Sequence, residues 1–268
     1  MATPVLDRSF GRQAFGLDPA NYHAARPPYP EVVWTTLRER AGLRAGIDVL
    51  EIGAGTGTAT DGLLAAHPKR LTAVEPDPRL ADFLKHRIDD AHIEVLTQAF
   101  EETELPDASY DLVVSATAFH WLEARPALRR IHDLLRAQGC VALIWNMFGD
   151  PGRADPFHQA TAHLFVGHPT TPSGGGTTEA PYGFDLPARL GDLRDSGFVP
   201  DEPAIHPWPL TLDPDGVRRL YLSYSNVAAL APDERVRLLD GLAEVAEREF
   251  GGKVTRNMTT SIYTARRR

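Results

Sequence analysis

Val49-Leu-Glu-Ile-Gly-Ala-Gly-Thr-Gly57 is the stretch that decides the fold. Residues 47–52 form an apolar run interrupted near its end by one acid, Glu51, the pattern of a strand buried in a parallel sheet. Gly53, Gly55 and Gly57 then stand at every second position, and Ala59, Leu63 and Ala66 recur at helical spacing behind them. Strand, glycine turn and helix make a site for a small ligand. Glycine tolerates positive φ, and without Cβ it lets ligand atoms reach backbone N–H groups. A dinucleotide turn asks for Gly-x-Gly-x-x-Gly; here Thr58 holds the third glycine's place and the glycine falls at 57.

Working outward, residues 70–75 read as a second strand ending on Glu75, 22 residues past Gly53. A carboxylate so placed can accept both ribose hydroxyls of an adenosine; otherwise Glu75 is a surface acid at a strand end. Asp77-Pro78 starts a helix whose apolar stripe is Leu80, Phe83, Leu84 and Ile88. Residues 92–96, 110–115 and 140–145 supply strands three to five, and a helix bearing Leu128, Ile131 and Leu134 is expected to stop at Gln138-Gly139. Residues 205–212, with proline at 207 and 209, read as an edge strand, and 261–265 as the last strand before a solvated arginine tail. The sequence therefore predicts an α/β fold: a Rossmann-like, seven-stranded, mostly parallel sheet with helices on both faces and an inserted helical cap. Four segments are expected: an arm and leading helix over 1–45, a ligand-binding core over 46–146, a cap with the sixth strand over 147–250, and a final strand and tail over 251–268. The glycine-, proline- and threonine-rich residues 167–183 read as a loop that folds over substrate or stays without fixed structure.

Composition narrows the function. The chain has 268 residues, 43% of them apolar, enough for one sizeable core. A net charge of −8 argues against nucleic acid as the main partner. No 18-residue apolar run is present and the first residues lack a signal-peptide pattern, so a cytoplasmic protein without a membrane partner is expected. Cys140, the one cysteine, reads as a small core residue. His158 and His163 stand five apart, a poor spacing for two ligands on one helical face, and no metal is expected. Only three lysines accompany the many arginines, a usage that suits a GC-rich genome and secondary metabolism.

Glu51-x-Gly53-x-Gly55-x-Gly57 resembles the first motif of the class I S-adenosylmethionine-dependent methyltransferases. Two further strings, Tyr22-x-x-x-Arg26-Pro27-x-Tyr29-Pro30 and Ala118-Phe-His-Trp121, resemble the trans-aconitate methyltransferase-like group, with its type 11 methyltransferase domain. The resemblance implies S-adenosyl-L-methionine as cofactor. It implies a binding set of Glu51, Gly53, Ala54, Gly55, Gly57, Glu75, Pro76 and Ala116, with the arm lying over the cofactor so that Tyr22 and Arg26 meet its carboxylate. Ala99 and Phe100 stand where the family carries an acid and a small residue against adenine, so backbone or the Phe100 ring takes that contact. His120 would face the methyl group as a base, or orient the cofactor, or simply fix its loop; His23 and Tyr22 are the other candidate catalytic groups. Trp121, Trp145, Asn146, Tyr221 and Tyr224 would line the acceptor's space, the two tyrosines being core residues on the alternative reading. The acceptor is expected to be a small acid or an aromatic natural-product scaffold, methylated on O, N or C, by a monomer or homodimer. Two other readings stay open: a cyclase-like protein that binds the cofactor without methyl transfer, and a nicotinamide-dependent oxidoreductase.

Overall fold

The computed structural model describes residues 15–149, 152–169 and 180–268. Most of the predicted 167–183 loop, and the first part of the arm with Phe10-Gly11, lie outside the described residues. The sheet contains β1 (Asp48–Ile52), β2 (Arg70–Val74), β3 (Ile93–Leu96), β4 (Tyr110–Ala116), β5 (Leu135–Phe148), β6 (Phe198–Pro200), β7 (Ala204–Leu212) and β8 (Val254–Arg267). Its order is β3-β2-β1-β4-β5-β8, with β6 and β7 both beside β8. β1 to β5 run parallel, and β8 runs antiparallel to β5, β6 and β7.

The helices are α1 (Pro19–Ala25), α2 (Glu31–Arg40), α3 (Thr60–Leu64), α4 (Pro78–Arg87), α5 (Ala124–Leu134), α6 (Pro156–Thr161), α7 (Leu186–Asp195), α8 (Pro214–Leu222), α9 (Ser225–Ala228) and α10 (Pro232–Phe250). Side chains alternate across each strand, so consecutive core residues leave on opposite faces. Val49 joins Val33, Leu37 and Leu63 on one side of the sheet, and Leu50 joins Leu128, Ile131 and Trp145 on the other. A third cluster, with Phe157, Val217, Tyr221, Leu238 and Leu242, belongs to the cap and reaches the sheet at Val254.

Three expectations need correction. The sheet has eight strands among the described residues, not seven. The extra strand is Phe198–Pro200, too short to show a period; it pairs with residues 265–267 of β8, and β7 pairs with 254–262. One edge position is thus filled by two pieces laid end to end. Gln138-Gly139 does not cap a helix: α5 ends at Leu134 and β5 follows at once. Gln138 has φ +65°, and the register with β4 shifts between Tyr110 and Leu112, so the pair is an irregularity inside the strand. The last strand is 14 residues long rather than five. Its first half is polar, with Thr255, Arg256, Asn257, Thr259 and Thr260, and most of it is buried under the cap, a burial that apolar patterning does not reveal.

Candidate active site

A cavity partly open to solvent lies at the carboxyl ends of β1, β2, β4 and β5, where parallel sheets bind ligands. The glycine turn forms one wall. Gly53, Gly55 and Gly57 have φ of +75°, +58° and +92°, so all three occupy backbone that suits glycine. Their surroundings differ. A Cβ on Gly53 would stand 2.4 Å from the Ala118 Cβ, and one on Gly57 would stand 2.5 Å from Leu84 Cδ1. Gly55 has nothing within 4 Å of that position. The outer glycines let the turn pack on the protein, while the middle one presents bare backbone to open space.

Glu75 ties the turn to the next strand. Its Oε2 accepts from the Gly55 N–H at 2.9 Å and its Oε1 from the Asp77 N–H at 2.9 Å. Asp77 then caps α4, its Oδ1 accepting from the Arg79 N–H at 2.9 Å. Glu51 is buried below the turn and accepts from the Thr60 hydroxyl at 2.7 Å. Burial pushes its carboxyl up to about 8 against the Thr60 bond, which pulls the other way.

The arm closes the opposite side. Asp18 caps α1 through the Asn21 N–H at 2.9 Å, and Asn21 Nδ2 donates to the Arg219 carbonyl of α8 at 3.1 Å. Arg26 Nη2 donates to the Ser223 carbonyl at 2.9 Å. The Arg26 guanidinium stands 5.0 Å from the Tyr22 ring and 4.9 Å from the Tyr224 ring, and its Nε is buried without a hydrogen-bond partner. Asn146 Nδ2 donates to the Pro28 carbonyl at 3.2 Å, pinning the extended proline segment to the end of β5.

Of the residues expected at the site, Tyr22, Arg26, Glu51, Gly53, Ala54, Gly55, Glu75, Pro76, Phe100, Ala116, Trp121 and Asn146 line this cavity. The others lie behind its wall. Gly57 packs on α4, as above. Ala99 precedes the short turn that carries Phe100 into the wall. Trp145 and Asn146 are neighbours on a strand and so point to opposite faces; Asn146 meets the cavity, whereas Trp145 is buried against Tyr182 and Tyr263. His120 follows Trp145 into that core: its Nδ1 accepts from the Trp145 indole N–H at 3.2 Å, and the ring lies 4.8 Å from Trp121. His23 bonds the Thr56 hydroxyl at 3.1 Å and stacks by Phe83. Burial, then the Arg87 charge, lowers its pKa from the ordinary value. Tyr221 accepts from Arg256 Nη1 at 2.5 Å within the cap core, and the Tyr224 ring lies 5.1 Å from it.

The cavity also holds Phe15 and Tyr29 of the arm and Thr117 after β4, and with them Leu80, Phe148 and Met258, which the sequence did not reveal as site residues. Phe148 and Met258 are cross-strand partners in the β5–β8 ladder, a pairing that local patterns cannot show. Tyr29 was in plain view inside the proline motif, and Thr117 follows directly on β4.

An adenosyl ligand fits this chemistry: a bare glycine face, a carboxylate after β2 and an unmatched guanidinium donor share one cavity. The topology and the site define a class I methyltransferase fold. Residues 50–143 match the family described as the methyltransferase domain. A methyltransferase-like protein of Schizosaccharomyces pombe is 33% identical over 138 residues, covering 52% of this chain and 53% of that protein. A malonyl-[acyl-carrier protein] O-methyltransferase of Anoxybacillus flavithermus is 38% identical over 104 residues, 38% of this chain and 39% of that one. The chain thus spans about half the length, or less, of these relatives. The solved structure of a putative type II methyltransferase from Anaeromyxobacter dehalogenans shares the fold across 91% of this chain and 97% of its own, with TM-score 0.64 and 21% identity. Among the described residues, no helix is long and apolar enough to cross a membrane and no cluster of potential metal ligands occurs.

Proposed function

We propose that the protein transfers the methyl group of S-adenosylmethionine to a small molecule held under the arm. One observation carries the reading: the Gly55 face opens on the cavity while its N–H is fixed by Glu75, the acid suited to a ribose. When bound, the cofactor supplies a methyl group on a sulfonium, a good leaving group, so positioning does most of the catalysis. Glu75 would hold the ribose hydroxyls, Phe100 and Pro76 the adenine side, and Arg26 with Tyr22 the carboxylate end. Asn146 and Trp121 would bound the acceptor's space.

The wall of the cavity favours an acceptor that needs little help from a base. Of the three candidate bases, only Tyr22 lines the cavity, while His120 and His23 spend their ring Nδ1 atoms on Trp145 and Thr56. A carboxylate, already ionised, meets that condition, in line with the O-methyltransferase name of the Anoxybacillus relative and with the trans-aconitate methyltransferase-like motifs. We place the enzyme in the cytoplasm, acting on soluble metabolites of secondary metabolism, as a monomer or homodimer without nucleic-acid or membrane partners.

Calorimetric titration with S-adenosylhomocysteine and with NADH tests the cofactor. Micromolar binding of the first alone is expected; binding of NADH alone would end this reading in favour of an oxidoreductase. Incubation with methyl-labelled S-adenosylmethionine and a metabolite extract tests the transfer. Tight cofactor binding with no labelled product would leave the cyclase-like alternative standing.

A further inference from the structure

Among the described residues, Thr117 is the one residue of the cavity wall other than glycine with positive φ. It is β-branched and yet has φ +55°, a conformation that side chains of its kind rarely adopt. The kink it makes sets Ala118 against Gly53, so a local distortion joins the acceptor side of the cavity to the glycine turn. Its hydroxyl is shared between two partners. Asn146 donates its backbone N–H to Thr117 Oγ1 at 3.3 Å, and the Tyr29 hydroxyl lies 2.8 Å from the same oxygen. All three residues line the cavity.

Counting protons gives this pair its use. A hydroxyl offers one hydrogen and two lone pairs. Either Tyr29 donates to Thr117, leaving the Thr117 hydrogen unspent, or Thr117 donates to Tyr29, leaving the phenol hydrogen unspent. Each arrangement frees one O–H donor. Burial raises the Tyr29 pKa well above the ordinary phenol value, so the donor persists at physiological pH. The side-chain oxygen of Asn146 accepts from the Thr260 hydroxyl at 2.6 Å.

We infer that Thr117 and Tyr29 act together as the hydrogen-bond donor that orients the methyl acceptor, by holding an oxygen lone pair next to the atom that is methylated. The inference rests on the proposed methyl transfer and adds to it a specificity: acceptors with a carbonyl, carboxyl or ether oxygen beside the reacting atom, rather than amines without oxygen. Both residues touch the acceptor on this account. They do not touch the cofactor, which the glycine turn and Glu75 hold.

The test uses the full chain and a fixed panel of aliphatic and aromatic carboxylates, ketones, phenols and amines. Each compound is titrated into protein loaded with S-adenosylhomocysteine and assayed for label uptake from S-adenosylmethionine. Oxygen-bearing members are expected to bind and be methylated in preference to amines. Tyr29→Phe leaves the Asn146–Thr117 bond in place and should weaken the best oxygen-bearing member about tenfold. Thr117→Val should do so by at least as much, with Thr117→Ser restoring most of the loss, and with S-adenosylhomocysteine affinity within twofold throughout. A purely structural pair would instead lower kcat or thermal midpoint without a change in acceptor affinity, and that result overturns the inference. So does an amine as the best-bound member, or failure of every oxygen-bearing member to bind the loaded protein. Failure to bind S-adenosylhomocysteine at all would instead remove the proposed function itself.

Discussion

The two halves of the cavity are wired differently. The cofactor half runs from Glu51 to Asp77, and its contacts join residues close in sequence: Thr60 to Glu51, Gly55 to Glu75, Asp77 to Glu75. The acceptor half is assembled from far apart. Asn21 reaches α8, Asn146 reaches the Pro27-Pro28 segment, and Phe148 faces Met258 across a ladder. A site made from one strand, one turn and the next strand forms wherever that unit folds. A site made from an arm, a strand end and a cap exists only when the whole chain has docked. Damage to the cap should therefore spare cofactor binding, and damage to the turn should spare the cap.

The strongest way to break that contrast lies in the cap. Arg256 is buried, pairs with Asp155 at 2.7 Å, donates to Tyr221, and sits 4.9 Å from the Phe148 ring. Removing one member of a buried pair leaves the other charge without compensation. Arg256→Ala should lower the unfolding free energy by about 3–5 kcal/mol in a denaturant titration. In the fraction that stays folded, affinity for S-adenosylhomocysteine should change less than about threefold. A tenfold loss of that affinity would show that the two halves are one unit.

Glu51 tests the cofactor half by itself. Its folded pKa, about 8, lies above the ordinary 4.5, so the folded chain holds the proton more tightly than the unfolded one. Stability from this group is then complete below the ordinary value and falls as pH rises from about 4.5 to about 8. Glu51→Gln keeps an acceptor for Thr60 and removes the titration. At pH 9 the variant should be more stable than the parent by roughly 2–4 kcal/mol, and near pH 4 the two should agree. Parallel stability curves across that range would place the proton elsewhere.

Glu75→Ala removes the acid that fixes Gly55. Cofactor affinity should fall by about 1–3 kcal/mol, a factor of roughly 5–150 in Kd by calorimetry. Thermal stability should fall less than for Arg256→Ala, because the backbone donors that Glu75 leaves at Gly55 and Asp77 stand beside the cavity rather than in the cap core. Unchanged affinity would take Glu75 out of the site.

The same contrast decides what could be read from the sequence. Gly53 to Gly57 and Glu75 were legible because a backbone-lined turn demands glycine at fixed places and the acid follows at a fixed distance. Asn146 was legible as the polar end of an apolar strand. Its neighbour Trp145 was assigned to the same space, although alternation along a strand sends the two to opposite faces. His120 lies behind the wall for a related reason: Phe119 to Trp121 make a single short turn, and of its three residues Trp121 lines the cavity. Phe148 and Met258 carried no signal, since a cross-strand pairing belongs to the folded chain; Thr117 lay in the stretch after β4 expected to line the site, but its positive φ was not legible. The eighth strand was hidden by its three-residue length, and half of β8 by polar residues that only the cap makes sense of.

The smallest effect concerns a hydrogen bond that joins the arm to the glycine turn. His23 bonds the Thr56 hydroxyl at 3.1 Å and lies 5.6 Å from the Phe83 ring, so it latches α1 over the cofactor half. Burial and the Arg87 charge lower its pKa, which means the folded latch favours the neutral ring. The latch is complete above the ordinary histidine value and is lost as pH falls through it and below. His23→Ala should cost about 0.5–1.5 kcal/mol. That loss should appear as two- to tenfold faster amide hydrogen exchange in residues 19–25, and the parent's exchange should rise toward the variant's on acidification to pH 5. If the arm exchanges alike in both proteins at pH 8, then its hold comes from its contacts with α8, β5 and the residues after β4 rather than from the glycine turn.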